Sequence, residues 1–344
     1  IRFKIINFLK IIVVFTIFNS SSLQADEQGT LNEWLINVKN LALDEGISLE
    51  TVNNSLIDIE LNDRVLELDR SQPEFTLTLD EYLSNTTPRS RLNKGKELYK
   101  ENYELLKNIS SKYGVQSRFL LALWGIETSF GQFTGSFNVI RSLTTLSYDM
   151  RRRVFFTREL INALKIIDEG HTNSNDMMGS WAGAMGQNQF MPSSFLNFAV
   201  DYNGDGKKDI WNTLPDVFAS SANYLNLSGW DRELTWGREV IVTREINEEL
   251  ISRSARKIDI SKSLREWSEL GVLKADMNSL PDKDLQAYLI YPDGDDGRKY
   301  LVYENFKVIM QWNRSLFFGI SVGTLADMIA VSYTHLTLPT NREV

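Results

Sequence analysis

The strongest constraint on the fold is a nearly continuous apolar run at residues 120–130 that carries a single charged residue, Glu127. A helix built from this run is apolar on almost every face, so other elements must surround most of it. Burying Glu127 as an anion is costly, and we therefore expect the pKa of its carboxyl to rise. Such a carboxyl can act as a general acid. The alternative, which this run alone favours, is a glutamate that caps or braces a neighbouring segment.

Two glycines flank this carboxyl along the chain. Gly125 and Gly131 lack side chains, and we expect them to keep the surface beside Glu127 open to a large ligand.

Composition narrows the available chemistry. The 344 residues include no cysteine, which excludes disulfides, thiolate nucleophiles, iron–sulfur clusters and cysteine-type zinc sites. The two histidines, His171 and His335, are too few for a multi-histidine metal site. A net charge of −8 argues against a protein that binds nucleic acid by neutralising phosphates. Any catalysis must therefore use carboxylates, hydroxyls and amides.

Hydrophobic periodicity predicts a mainly α, α+β fold. Apolar residues recur at helical spacing, with glycine stops, over residues 34–42, 88–113, 117–130 and 152–169, and Pro192 and Pro215 open further helices. After Trp236 the pattern changes. Residues 239–243 are rich in β-branched side chains and predict a strand. Residues 261–270 predict a short helix, and residues 285–291 and 298–303 flank an acidic turn in the manner of a β-hairpin.

Both ends of the chain are expected to lie outside the fold. Residues 1–25 combine a basic start, an apolar stretch at 11–18 and the sequence Leu23-Gln24-Ala25, which is typical of a cleavable signal peptide. We expect a soluble exported protein without a lipid anchor, since no cysteine is available for modification; an uncleaved N-terminal anchor is the alternative. Residues 332–344 resemble translated sequencing adapter and are excluded from functional reasoning.

A second informative segment, residues 179–195, is dense in small, amide and hydroxyl residues. Small residues permit close backbone approach, and amides and hydroxyls hydrogen-bond sugar hydroxyl and N-acetyl groups. Trp181 and Phe190 offer faces on which sugars stack. The alternative is a glycine-rich loop that closes against the core.

Together these two segments resemble the catalytic helix and following loop of the lytic murein transglycosylase B family, glycoside hydrolase family 103. Residues 68–75, 143–149 and 312–315 match further family motifs in order, so the likeness covers about residues 30–330. The resemblance implies a lysozyme-like catalytic core and a periplasmic enzyme. It also implies cleavage of the MurNAc–GlcNAc bond of peptidoglycan to a 1,6-anhydro sugar, without water and without a catalytic cofactor.

The same resemblance assigns residues. Glu127 matches the single acid and base. Six other positions match substrate-binding residues: Ser180, Gln189, Asn313, Trp312, Phe318 and Tyr82. Trp312 and Phe318 stand where the family often has tyrosines; both keep an aromatic face, but Phe318 lacks the hydroxyl. Tyr82 is placed by an alignment that needs a gap.

The loop at residues 201–216 has spacing similar to that of a calcium-binding EF-hand. Oxygen-bearing side chains fall at loop positions 1, 3, 5 and 9, and Gly206 falls at position 6, where the sharp turn requires glycine. Asn212 replaces the usual glutamate at position 12, and a late aspartate can take its place. The predicted ligands are Asp201, Asn203, Asp205, the Lys207 carbonyl, Asp209 and Asp216. We expect weak, structural Ca²⁺ binding; the alternative is a solvated acidic turn.

These observations divide the chain into five parts: a signal peptide (1–25), a helical domain (26–115, completed by 304–331), a catalytic core (116–235), a small mixed insertion (236–303) and a tail (332–344). The leading hypothesis is a monomeric lytic transglycosylase that acts on peptidoglycan strands, with cell-wall synthesis or division proteins as candidate partners and no nucleic acid.

Two rival hypotheses remain. One is a non-catalytic peptidoglycan-binding or scaffold protein, which has no need for a buried acid. The other is a hydrolytic muramidase on the same fold. Hydrolases usually pair two carboxylates, and the active-site motifs offer no second one unless Asp149 folds into the cleft.

Overall fold

The computed structural model describes residues 29–71 and 77–331. The α-helices are α1 (Leu31–Asp44), α2 (Leu49–Ser55), α3 (Asp63–Arg70), α4 (Leu79–Thr86), α5 (Arg89–Glu101), α6 (Tyr103–Tyr113), α7 (Ser117–Thr128), α8 (Val139–Tyr148), α9 (Arg153–Asp168), α10 (Pro192–Phe198), α11 (Leu214–Leu227), α12 (Leu264–Glu269), α13 (Glu304–Trp312) and α14 (Leu316–Val331). The strands are β1 (Phe137–Asn138), β2 (Met178–Gly179), β3 (Gly237–Val242), β4 (Ile251–Ser252), β5 (Lys262–Ser263), β6 (Val272–Lys274), β7 (Gln286–Ile290) and β8 (Lys299–Val302). The predicted mainly α, α+β fold is confirmed.

Several expectations concern parts of the chain that the structure does not describe. The predicted signal peptide and the C-terminal tail lie outside the described residues, as do residues 72–75 of one matched motif. Among the helices that are described, none is both long and apolar enough to cross a membrane. The division into domains stays a prediction.

Most predicted helices are present, with two corrections. The helix predicted over residues 88–113 is two helices, α5 and α6, that meet at Asn102 (φ −108°, ψ 18°). The Asn102 side-chain amide donates to the Leu98 carbonyl at 2.9 Å, a local hydrogen bond that competes with continued helix. Helix α7 ends at Thr128, two residues early, because Ser129 and Phe130 adopt left-handed backbone conformations.

The strands after Trp236 form one small sheet with its own core. Its strand order is β4–β7–β8–β3–β6, with β5 also paired to β7. The predicted hairpin is confirmed as β7 and β8, which are antiparallel with Leu289 opposite Leu301. A separate apolar cluster that includes the fully buried Trp267 stabilises the sheet. The acidic turn joins this sheet to α4, because the Asp293 carboxylate accepts the Leu79 N–H at 2.6 Å.

The larger core surrounds α7, which α5, α6, α11 and α14 contact. Helix α14 packs along α7 and also supports the sheet region. A Cβ on Gly323 of α14 would lie 2.2 Å from the ring of Trp236, so glycine is needed at this crossing. Through this contact α14, which packs against α7, also packs against the residue that precedes β3.

Candidate active site

The candidate acid, Glu127, lies in the last turn of α7, behind a stretch of buried residues at 119–125. The residue as a whole keeps intermediate exposure, while its carboxyl is surrounded by protein. Burial raises the pKa of Glu127 to about 8, and a hydrogen bond from the Trp312 side chain opposes this rise. Among the described residues no cation pairs with this carboxyl. As the sequence context predicted, the group is protonated at neutral pH.

The chain reverses directly after α7 through Ser129 (φ 49°), Phe130 (φ 61°) and Gly131 (φ 79°). The expectation that glycines open the surface here is wrong. A Cβ on Gly125 would lie 2.8 Å from the Phe130 ring, and a Cβ on Gly131 would lie 2.3 Å from the Gln187 amide oxygen. Both glycines therefore let protein segments pack closely instead of admitting a ligand.

Gln187 fixes the loop that follows β2 against α7. Its Oε1 accepts from the Trp124 indole at 2.8 Å, and its Nε2 donates to the Trp211 carbonyl at 2.8 Å. Its backbone carbonyl accepts from the Thr128 hydroxyl at 3.2 Å. Through these hydrogen bonds, the buried Gln187 holds its loop beside α7, the helix that carries Glu127. Sequence reasoning did not separate this residue from the other amides nearby.

Ser180 and Gln189 lie on neighbouring short segments of this loop, joined by bridges through Met185. The Ser180 hydroxyl accepts the Ala184 N–H at 3.0 Å. Gln189 has a left-handed backbone (φ 51°), and its Nε2 donates to the carbonyls of Thr134 at 3.0 Å and of Gly186 at 2.9 Å. Because these bonds fix the amide plane, Oε1 is the atom that Gln189 offers to a ligand.

Trp312, Phe190 and Tyr224 form an aromatic wall beside these groups. The Trp312 ring centroid lies 5.0 Å from that of Phe190 and 4.7 Å from that of Tyr224. Phe190 is 2% exposed, so the expected sugar-stacking role is wrong for this ring, while Trp181 stays half-buried. Sequence reasoning missed Tyr224, since it belongs to the apolar face of α11 and no motif marks it.

A cavity of about 250 Å³ adjoins this wall and is lined by Gln189, Tyr224 and Trp312. Glu159 of α9 also lines it. This carboxylate was missed because it sits in an ordinary amphipathic helix. Glu159 is 1% exposed, and its Oε2 accepts the Ser193 N–H at 2.9 Å at the start of α10. The structure thus places a second carboxylate, that of Glu159, near the site. One of its oxygens already accepts a backbone N–H group of the first turn of α10.

The remaining predicted substrate contacts differ in their surroundings. Tyr82 packs against Phe317, with 5.6 Å between ring centroids. Asn313 is exposed at the end of α13. Phe318 is 3% exposed and belongs to the larger core, which disagrees with the expectation that it presents a face to substrate. Helix α14 turns this side chain inward.

Asp149, the carboxylate considered for a hydrolase, is held by arginines. Its Oδ2 lies 3.1 Å from the Arg70 guanidinium, and its Oδ1 accepts the Arg151 backbone N–H at 3.1 Å. In the matched motif that begins at residue 68, Asp69 is buried between Arg151 and Arg152, with Arg152 at 3.1 Å. Both aspartates therefore serve ion pairs that connect α3 to the segment before α9.

The loop at residues 201–216 turns most of its carboxylate oxygens toward its own backbone. Asp201 accepts the N–H groups of Gly204 at 2.7 Å and Gly206 at 2.8 Å, and Asp205 accepts that of Lys207 at 2.9 Å. Consistent with this, no group of three or more Asp, Glu or His side chains in the described residues converges as a metal-binding cluster.

Asp216 differs from the rest of this loop, because it is fully buried. Its two oxygens accept the N–H groups of Tyr202 at 2.8 Å and Asp209 at 2.9 Å. Burial raises its pKa, the nearby Asp201 carboxylate adds to the rise, and the backbone N–H groups oppose it. In the described part of the chain no cation neutralises this pair of carboxylates, and their oxygen atoms are donors that suit Ca²⁺.

The sequence is similar to a protein-family model and to a curated protein. Residues 30–327 match the family model described as Transglycosylase SLT domain. The chain is 29% identical over 222 residues to the Membrane-bound lytic murein transglycosylase B of Escherichia coli (strain K12). This alignment covers 64% of the present chain and 58% of that protein, which is less than two thirds of the relative's length.

Solved structures are similar over most of the chain. SltB3 from Pseudomonas aeruginosa, in complex with NAG-anhNAM-pentapeptide, has a TM-score of 0.83 and 37% identity, covering 88% of this chain and 80% of that one. The Escherichia coli lytic transglycosylase Slt35, in complex with calcium, has a TM-score of 0.74 and 24% identity, covering 88% and 93%. The second match bears on the fold alone. Both agree with the predicted lysozyme-like architecture.

Proposed function

Because this chain belongs to the transglycosylase SLT domain family, we propose that it is a lytic transglycosylase that cleaves the MurNAc–GlcNAc β-1,4 bond of peptidoglycan. The product is 1,6-anhydroMurNAc, and the enzyme belongs to glycoside hydrolase family 103. The observation that carries the proposal is the carboxyl of Glu127, whose pKa burial raises to about 8 and which no cation neutralises among the described residues.

In the proposed reaction Glu127 acts first as an acid and then as a base. It starts protonated at pH 7, because its pKa lies near 8. Its proton passes to the glycosidic oxygen, the C1–O bond of MurNAc breaks, and the ring becomes oxocarbenium-like. The C6 hydroxyl of the same sugar then bonds to C1 while the Glu127 carboxylate takes the hydroxyl proton. Glu127 ends protonated, and no water is consumed.

The neighbouring groups supply binding and electrostatics. The hydrogen bond from Trp312 favours the ionised form of Glu127 and so assists the proton's departure. Gln189 offers a fixed amide oxygen, and Ser180 offers its hydroxyl, to sugar N–H and O–H groups. Tyr82 and Asn313 are further substrate contacts in this proposal. Phe318 is left out because it is buried.

Mass spectrometry of peptidoglycan digested by the purified protein tests the proposal. We expect muropeptides that lack a reducing end and weigh one water less than the products of a muramidase. Mainly reducing products would replace the proposal with a muramidase. No products, with retained sedimentation on peptidoglycan, would favour the non-catalytic binding protein.

Glu159 is a second carboxylate that lines the cavity beside Gln189 and Trp312, and we assign it a structural role. Glu159→Gln keeps an oxygen that accepts the Ser193 N–H but cannot activate water. The ratio of anhydro to reducing products should therefore match that of the wild type. A variant that shifts this ratio would show that Glu159 takes part in the chemistry.

We further propose that the loop at residues 201–216 binds Ca²⁺ with a structural role. The support is the buried, unneutralised Asp216 beside Asp201, together with the loop spacing. Ca²⁺ that binds only the folded state must raise Tm. The shift at millimolar Ca²⁺ should disappear in Asp205→Ala and persist in Asp296→Ala, which removes an exposed carboxylate from the acidic turn. Equal shifts in both variants would contradict this site.

The cellular setting follows from the substrate. We propose that the protein works in the periplasm as a monomer, where peptidoglycan strands are its partner and cell-wall synthesis or division proteins are candidate associates. Fractionation of cells that express the chain, followed by detection with an antibody, would place it.

A further inference from the structure

A cavity of about 320 Å³ lies between the start of α5 and the turn that follows α7. Its polar lining consists of Ser90, Arg91, Lys94, Ser129 and Gln132, and no acidic side chain contributes. Such a lining, with two cationic side chains, two hydroxyls and one amide, favours an anionic group that accepts hydrogen bonds.

This cavity is close to the candidate acid. Ser129 lines it and follows Glu127 by two residues, so their Cα atoms are at most about 7 Å apart. One wall of the cavity is therefore formed by the chain segment that directly follows the candidate acid.

Arg91 is the central feature of the cavity. Its Nη2 donates to the Ser129 hydroxyl at 2.8 Å, and its Nη1 donates to the carbonyls of Thr86 and Asn85, the latter at 3.5 Å. Three of its five N–H donors are thus used, and the guanidinium is held in one orientation.

No carboxylate pairs with Arg91 among the described residues, and burial lowers its pKa without an acidic group to oppose the change. Buried or partly buried charges are normally paired, because an unpaired charge loses hydration without compensation. Lys94, in contrast, has a partner in Glu97 at 2.8 Å. Arg91 is therefore the cation in this cavity that lacks an anion.

We propose that the Arg91 cavity binds a carboxylate of the peptide stem carried by the MurNAc residue at the cleavage site. The inference rests on the proposed function. The sugars of the strand are uncharged, and the anionic groups of peptidoglycan are the carboxylates of its peptides, or of the lactyl group where the peptide has been removed. The two unused N–H groups of the Arg91 fork match the two oxygens of a carboxylate.

Steady-state kinetics of Arg91→Gln on three substrates tests this inference. The substrates are strands with intact peptide stems, the same strands with the stem carboxylates amidated, and strands stripped of peptide, which expose the lactyl carboxylate. Arg91→Gln should raise KM on intact strands by about 10- to 100-fold, as expected for loss of a charge-assisted contact, with kcat nearly unchanged. The variant should equal the wild type on the other two substrates.

Matched variants keep the test interpretable. Arg89→Gln removes the same charge from an exposed position on α5 outside the cavity and should behave as wild type on all substrates. Lys94→Gln should raise KM about twofold on intact strands only, because that charge is already paired and exposed. Arg91→Lys should fall between wild type and Arg91→Gln.

The possible outcomes distinguish a failure of the proposed function from a failure of the Arg91 assignment. A wild type that cleaves no substrate would contradict the proposed function itself. Cleavage with equal loss on all three substrates, or a fall in kcat alone, would show that Arg91 only supports Ser129, and the inference would fail. A loss on stripped strands equal to that on intact ones would assign the cavity to the lactyl carboxylate and overturn the peptide assignment.

Discussion

Two carboxyl groups in this protein accept a hydrogen bond from a tryptophan, and their surroundings differ in one respect. Glu127 has Trp312 and no cation among the described residues. Asp327 has the Trp236 indole at 2.8 Å and also the Arg118 guanidinium at 2.9 Å. Burial raises the pKa of both groups, but at Asp327 the arginine and the indole both oppose the rise.

This difference separates a reactive carboxyl from a structural one. An indole N–H alone stabilises a carboxylate too weakly to offset burial, so Glu127 keeps its proton at neutral pH. Arg118 gives Asp327 a permanent partner, and the group joins α14 to α7 and to the beginning of β3. The missing cation, more than the tryptophan, makes Glu127 suitable for proton transfer.

The largest expected effect is on activity. Glu127→Gln should lower turnover by about 100- to 10,000-fold, because the amide is nearly isosteric but cannot donate and recover the proton. Circular dichroism and Tm should show an intact fold, and binding to peptidoglycan should persist. Retention of more than about a tenth of wild-type turnover would remove Glu127 from its role.

The next effect is on stability and concerns the packing of α14 against Trp236, the indole that donates to Asp327. Gly323→Ala places a Cβ 2.2 Å from the Trp236 ring and should destabilise the protein by about 1–3 kcal/mol through overpacking. Gly95→Ala is the matched control in another helix, because its Cβ meets the end of the Ile329 side chain at 3.1 Å and the edge of the Phe130 ring at 3.2 Å, contacts about 1 Å longer than the one at Trp236. Equal denaturation midpoints for the two variants would show that the Trp236 contact is not tight.

A smaller effect concerns the pKa of the reactive carboxyl. Trp312→Phe keeps the aromatic packing on Phe190 and Tyr224 but removes the donor to Glu127. The anion loses support, so the pKa of Glu127 should rise by about one unit or less, as expected for one hydrogen bond. The alkaline limb of the kcat/KM profile should move upward. A downward shift would contradict this description of the Trp312 contact.

The smallest effect is expected at the paired carboxyl. Asp327→Asn can still accept from Trp236 but loses the charge opposite Arg118, and this partly exposed pair contributes no more than about 1 kcal/mol. Urea denaturation should show a loss within that limit, with kcat/KM unchanged. A fall in kcat/KM as large as that of Glu127→Gln would remove the distinction between the two carboxyls.

The sequence predicted the elements of this site better than their arrangement. A lone glutamate in an apolar run is visible in the sequence, and burial does raise its pKa. Most of the helices and the β7–β8 hairpin also follow from local periodicity and turn residues, although the break at Asn102 and the end of α7 do not.

Arrangement depends on contacts between distant segments, which local patterns do not encode. Gly125 and Gly131 look like an open surface in the sequence, but the Phe130 ring and Gln187 fill the space. Glu159 looks like an ordinary helical glutamate until α9 packs beside α10 and brings it to the cavity. Phe318 matches a family position, yet the direction of α14 buries it.

The central claim is that Glu127 is protonated at neutral pH because burial is not offset by a cation. Carbon-13 NMR titration of glutamate-labelled protein, with the resonance assigned by its loss in Glu127→Gln, measures this pKa directly. We expect a value near 8, so that the proton and kcat/KM are retained below that pH and both are lost above it. A pKa near the ordinary value of 4.5 would show an ionised carboxylate at pH 7 and would contradict the account.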